Sequence, residues 1–137
     1  MTTYPSAEEV LTTHARLIEL FGGSHRVRDR GALDSALARP KSGYYRDVVE
    51  EAGALLESLW QNHPFIDGNK RTAVTVRAAF LRVNGYRLEF DDREAHRFLT
   101  GLAVSGHFRL DELDRWLRAH AQLPSRGQSS SLGEGSS

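Results

Sequence analysis

Two apolar stretches at helical spacing, Val49 to Trp60 and Ala73 to Val83, are separated by a short gap that contains Pro64 and Gly68. This arrangement constrains the fold more than anything else in the chain. Val49, Ala52, Leu55, Leu56, Leu59 and Trp60 give one helix a broad apolar face. Ala73, Val76, Phe80, Leu81 and Val83 put apolar side chains nearly all round the next. Pro64 cannot continue a helix and Gly68 lets the backbone bend. Two helices joined by a tight connection are therefore predicted, the second of them central in the bundle.

The other elements follow from caps and stops. Ser6-Ala7-Glu8-Glu9 reads as a capping box, after which Val10, His14, Leu17, Ile18 and Phe21 recur at helical spacing until Gly22-Gly23. A shorter helix runs from about Asp29 to Arg39, with Leu33, Ala36 and Leu37 on one face, and Pro40 ends it. A polar loop with Tyr44 and Tyr45 leads to Asp47-Val48-Val49-Glu50, which repeats the capping-box pattern. The helix after the gap starts near Asn69 and stops at Asn84-Gly85. Arg87 to Phe90 is the one strand-like stretch. Asp92 caps a fifth helix to about Leu102, and Leu110 to His120 forms a sixth, with Leu113, Trp116 and Leu117 facing inward. The expectation is an all-α, compact bundle of about six helices in a single domain, residues 1–123. From Pro124 the chain turns to Ser, Gly and Gln without apolar periodicity, so residues 124–137 are expected to be a disordered tail.

At 137 residues one continuous core is the default. The 18 basic and 18 acidic residues balance, so no global field marks a nucleic-acid or membrane-surface binder, and any anion site must be local. With no cysteine, disulfides, thiolate metal sites and cysteine nucleophiles are excluded. No apolar run is long enough to span a membrane, and the first residues lack the pattern of a signal peptide, so the expected compartment is the cytoplasm.

The connection His63-Pro64-Phe65-Ile66-Asp67-Gly68-Asn69-Lys70-Arg71 carries the chemistry. It opens into a helix whose first amides, around Gly68, Asn69 and Lys70, form an anion site strengthened by the helix dipole. Lys70 and Arg71 lie in the first turn, where the dipole disfavours cations, a local cost that a bound phosphate would offset. Asp67 is a hard oxygen ligand suited to magnesium, and His63 can take a proton near neutral pH. Base, metal ligand, anion cradle and charge clamp are the parts needed to transfer a phosphate-containing group to a hydroxyl. His14, His25, His96, His107 and His120 show no metal-binding spacing and read as core-edge or surface residues; His14, on the apolar face of the first helix, reads as a satisfied buried histidine and not a ligand, and Trp60 and Trp116 read as core.

These nine residues resemble the signature of the Fic/Doc family. The likeness extends to Gly22-Gly23, to Arg28-Asp29-Arg30-Gly31-Ala32-Leu33, to Phe80-Leu81-Arg82-Val83-Asn84-Gly85 and to Trp116-Leu117. It implies a helical fold with the motif between two central helices, and it implies roles. His63 would be the general base, Asp67 the magnesium ligand and Asn69 a lining residue of the anion hole. Gly68 would keep the loop open, Lys70 and Arg71 would hold nucleotide phosphates, and Phe65 would anchor the loop. AMP-transferring Fic enzymes have glycine where this chain has Lys70 and a second arginine where it has Val74. Both departures match the Doc (death-on-curing) toxins, which pass the terminal phosphate of ATP to elongation factor Tu. The resemblance thus implies a toxin kinase using ATP and Mg2+, restrained by a Phd-like antitoxin, with no direct nucleic-acid or membrane partner. Nucleotidyl transfer (AMPylation) and a non-enzymatic phosphate-binding module are the alternatives. Lys70 and Lys41 are the only lysines in the chain, which suggests that a compact ammonium is required at position 70. Ser130 to Gly135 matches the short self-inhibitory pattern of some Fic enzymes, but it sits in a poor helix former and its arginine partner is replaced by Val74.

Overall fold

The computed structural model describes residues 1–88, 92–106 and 109–122. Among these, six helices form the molecule: α1 (Ala7–Phe21), α2 (Arg30–Ala38), α3 (Val48–Asn62), α4 (Asn69–Val83), α5 (Asp92–Val104) and α6 (Leu110–His120). The all-α bundle expected from the sequence is what the chain forms. Among the described residues the one sheet element is a two-residue antiparallel pairing of β1 (Arg87–Leu88) with β2 (Ala121–Gln122), Arg87 opposite Gln122. The predicted strand was longer, but Glu89 and Phe90 lie outside the described residues, as do His107, Leu123 and the tail 124–137.

The α3–α4 pair is central. α3 packs on α2, α4 and α6, and α4 packs also on α1 and α5. Leu55, Leu56, Ala73 and Leu81 are wholly buried between them, and Trp60 and Trp116 join the same core. Each such leucine contributes about 1.5–3 kcal/mol on leaving water. α6 approaches α3 closely at Gly53, where an added Cβ would sit 3.1 Å from Leu110 Cδ1 and that leucine would have to shift.

The caps explain where the helices begin. Ser6 Oγ accepts from Glu9 N while Glu9 Oε1 accepts from Ser6 N, completing the predicted box. Asp29 caps α2 through Ala32 N. At α3 the predicted reciprocal box is corrected. Asp47 does accept from Glu50 N at 3.0 Å, but the Glu50 carboxylate accepts from Arg46 N at 2.7 Å instead of returning to Asp47. Arg46 engages Glu50 Oε1 twice, through its main-chain N–H and its Nε, while Arg118 of α6 donates twice to the Asp47 carboxylate. Pro40 does not stop the chain abruptly, because α2 passes into a 3-10 turn over Arg39–Lys41. There Arg39 bonds Tyr45 Oη, Ser58 Oγ and Glu57, so Tyr45 is structural, whereas Tyr44 is exposed.

Candidate active site

α3 ends at Asn62, and His63 follows in the left-handed region with φ 50° and ψ 58°. Among the described residues it is the only non-glycine with positive φ. That conformation costs an L-residue roughly 1–2 kcal/mol and turns the chain sharply into Pro64. The His63 side chain is left exposed. Pro64 and Phe65 are buried, and the Phe65 ring lies flat on His14 of α1, 3.7 Å between centroids with 7° between planes.

α4 then starts with Gly68 at its N-cap, φ 80°, and with no side chain capping it. Its first intrahelical bond is Thr72 N to Gly68 O, 2.9 Å, so the amides of Asn69, Lys70 and Arg71 have no helical acceptor. Only glycine suits position 68: the φ strains any side chain, and a Cβ would stand 3.2 Å from Ile18 Cδ1. The Asn69 side chain does not face this cradle freely. It closes a pair of bonds with the Phe65 main chain, accepting from Phe65 N at 2.9 Å and donating to Phe65 O at 2.8 Å. What Asn69 offers to an anion is therefore its main-chain N–H, and its side chain shapes the loop.

Lys70 and Arg71 go to different neighbours. The Lys70 ammonium stands 5.7 Å over the Trp60 ring of α3, and the Arg71 guanidinium lies 3.9 Å over the Phe21 ring at the end of α1. Asp67 is exposed, and its Oδ2 accepts from Ser24 N at 2.8 Å, which leaves Oδ1 available. Among the described residues no cluster of three or more His, Asp or Glu side chains could hold a metal ion unaided. One exposed carboxylate fits magnesium only where phosphate oxygens and water complete the shell.

Three contributors owe their partners to the fold, although His14 was already expected to be buried and satisfied. His14 is buried, and its Nε2 lies 2.8 Å from Asp67 O. Since a carbonyl only accepts, Nε2 carries the proton. His96 of α5 stands 6.2 Å from Trp60, and its imidazole is held below the ordinary value by burial and then by the charges of Arg71 and Lys70. It had read as an edge or surface residue, yet it borders the cationic side of the site. The third is Arg28, from the loop before α2, whose Nε donates to His63 O at 2.6 Å.

Burial also pushes the His14 imidazole down, against the opposing bond to Asp67 O. The unfolded chain then binds more protons than the folded one below about pH 6.5. Stability should therefore be full above that pH and fall as pH drops from it toward the lower folded-state values of His14 and His96. Thermal midpoints compared at about pH 7.5 and about pH 5.5 should show this loss, and His14→Gln should reduce it. An unchanged pH dependence in His14→Gln would remove His14 as its source.

A left-handed histidine before a buried proline, an uncapped helix start and two cations at that start, all between two central helices, define a Fic-type fold and motif. The chain belongs to the Fic/Doc family, whose family model (Fic/DOC family) matches residues 4–81. Among its relatives it is similar to "Toxin Doc" of Mycolicibacterium smegmatis, 44% identical over 111 residues covering 76% of this chain and 83% of that protein. It is also similar to "Protein kinase doc" of Escherichia phage P1, 30% identical over 103 residues covering 72% of this chain and 81% of the relative.

Proposed function

We propose that this protein is the toxin of a type II toxin–antitoxin pair, and that it passes the terminal phosphate of ATP to a serine or threonine hydroxyl of a translation factor. By the likeness to Doc that factor is elongation factor Tu, and the restraint is a separate Phd-like antitoxin. The observation that carries the kinase reading concerns the two positions at which Doc proteins depart from AMP-transferring Fic enzymes. Lys70 occupies the helix start and rests over Trp60, and Val74, one turn further on, is 1% exposed and packed in the core. A nucleotide lying as in the AMP-transferring enzymes needs room where Lys70 stands and an arginine where Val74 faces inward. The opposite orientation sets the terminal phosphate over the amides of Asn69, Lys70 and Arg71.

In that orientation His63 takes the proton of the target hydroxyl as its oxygen bonds to the terminal phosphorus. The bond from that phosphorus to the bridging oxygen breaks, and ADP leaves with the electron pair. The helix amides, Lys70 and Arg71 offset charge on the transferring group. Asp67 would hold a magnesium ion, which would supply positive charge to neutralise the phosphate oxygens. The names of the two relatives, a toxin and a protein kinase, support the reading. No helix among the described residues is long and apolar enough to cross a membrane. Incubation with ATP and elongation factor Tu, followed by intact-mass measurement of the factor, is the test. A phosphate adduct is expected, whereas an AMP adduct would return this chain to the nucleotidyl-transferring branch.

A further inference from the structure

The loop between α1 and α2 is stitched to the motif along its length. Ile66 N donates to Arg26 O at 3.2 Å, Arg28 N and Asp29 N both donate to Pro64 O at 2.8 and 3.0 Å, and Val27 pairs with Phe65 in an isolated antiparallel bridge. Arg28 adds its side chain to these main-chain ties. Its Nε donates to His63 O at 2.6 Å and its Nη2 to Asn62 O at 2.8 Å. One residue thus binds the carbonyls of three successive residues, Asn62, His63 and Pro64.

Those carbonyls stand at the C-terminal end of α3, where the helix leaves its acceptors without donors and its dipole favours a cation. Glycine is the usual occupant of a left-handed position just past a helix. Here that position holds His63, whose Cβ disfavours the conformation. Without an external hold, the peptide planes on either side of His63 would relax and the imidazole would move with them. Asn62 has a second tie, its Nδ2 donating to Ala32 O at 3.1 Å, so the end of α3 would stay in place when Arg28 is changed. The Arg28 side chain donates to the peptide that follows His63 and to the one that precedes it.

We propose that Arg28 is a positioning residue for His63: by holding the carbonyls of Asn62 and His63 through its side chain and that of Pro64 through its N–H, it maintains the left-handed turn from which the imidazole projects. The fork of the guanidinium is what reaches two carbonyls at once, and a lysine ammonium could hold one. The inference rests on the reading of His63 as the base.

The test compares Arg28→Met, Arg28→Lys and His63→Ala in the full chain by two measurements. One is transfer from terminally labelled ATP to elongation factor Tu. The other is the pair of Cα and Cβ chemical shifts of His63, which report its backbone region and need no substrate. Arg28→Met should lose kcat on the order of 100-fold, the scale of a misaimed catalytic group, with the KM for ATP unchanged and the His63 shifts moved away from left-handed values. Arg28→Lys should recover part of both. A wild-type kcat and unmoved His63 shifts in Arg28→Met would overturn the proposal. If Arg28→Met fails to fold, the same result in Arg28→Lys overturns it, because the two-carbonyl grip is then dispensable. An active, folded His63→Ala protein would instead bring down the reading of His63 as the base, while the shifts would still decide whether Arg28 holds the turn.

Discussion

His63→Ala and His63→Gly should both abolish phosphate transfer and growth inhibition, and His63→Gly should be the more stable of the two. The imidazole is exposed at a helix end, so removing it deletes little packing, and surface changes of this kind usually stay within about 0.5 kcal/mol. The backbone at 63 is left-handed, φ 50°, a conformation in which alanine keeps the Cβ penalty and glycine is free of it. Glycine should therefore exceed alanine by about 1 kcal/mol in urea unfolding. Loss of activity with retained or improved stability would show that histidine is kept at this position for chemistry and against local preference. A folded His63→Ala protein as toxic as the wild type would refute its role as the base, and a glycine variant less stable than alanine would refute the strain.

Phe65→Ala should produce the other large effect, through the loop's support. Phe65 is 1% exposed, its ring lies on His14, and its main chain binds the Asn69 amide on both sides. Truncation removes a buried ring and leaves a cavity under the motif, a change that costs about 3–5 kcal/mol. The damage should not stop at stability. His14, freed from the ring, is the group that holds Asp67 O, so Asp67 and the start of α4 lose their common floor. Urea titration should show a lower midpoint with an unchanged slope, and the protein that remains folded should transfer phosphate poorly. Phe65→Leu should retain most of the stability, because much of the apolar volume stays. A Phe65→Ala protein within about 1 kcal/mol of wild type would mean that the loop is held by its hydrogen bonds alone.

These expectations separate what lay in the sequence from what did not. Ser6, Asp29 and Asp47 marked helix starts, and Gly22-Gly23, Pro64 and Asn84-Gly85 marked stops, because caps and breaks are chosen within a few residues of the backbone groups they satisfy. The motif was legible for the same reason: His63 to Arg71 is contiguous, so an uncapped helix start with cations beside it could be read off directly. Even there the sequence named residues and left their partners open. Asn69 read as a lining of the anion hole, but its side chain is taken up by Phe65. The box expected at Asp47 is only half formed, because the Glu50 carboxylate accepts from Arg46 instead.

The supports of the site were decided by tertiary structure. Arg28 meets Asn62 across 34 positions, His14 meets Asp67 across 53, and His96 reaches the Lys70–Trp60 neighbourhood from α5. Helical periodicity says which face of His14's helix is buried, and it is silent on which carbonyl of another element lies opposite. That pairing is set by how α1, α3 and α4 cross once their apolar faces are packed. The sequence by itself therefore determined the helices and the chemical groups of the motif, through interactions a few residues long. Packing over distances of tens of residues decided the left-handed set of His63, the floor beneath Asp67 and the separate seats of Lys70 and Arg71.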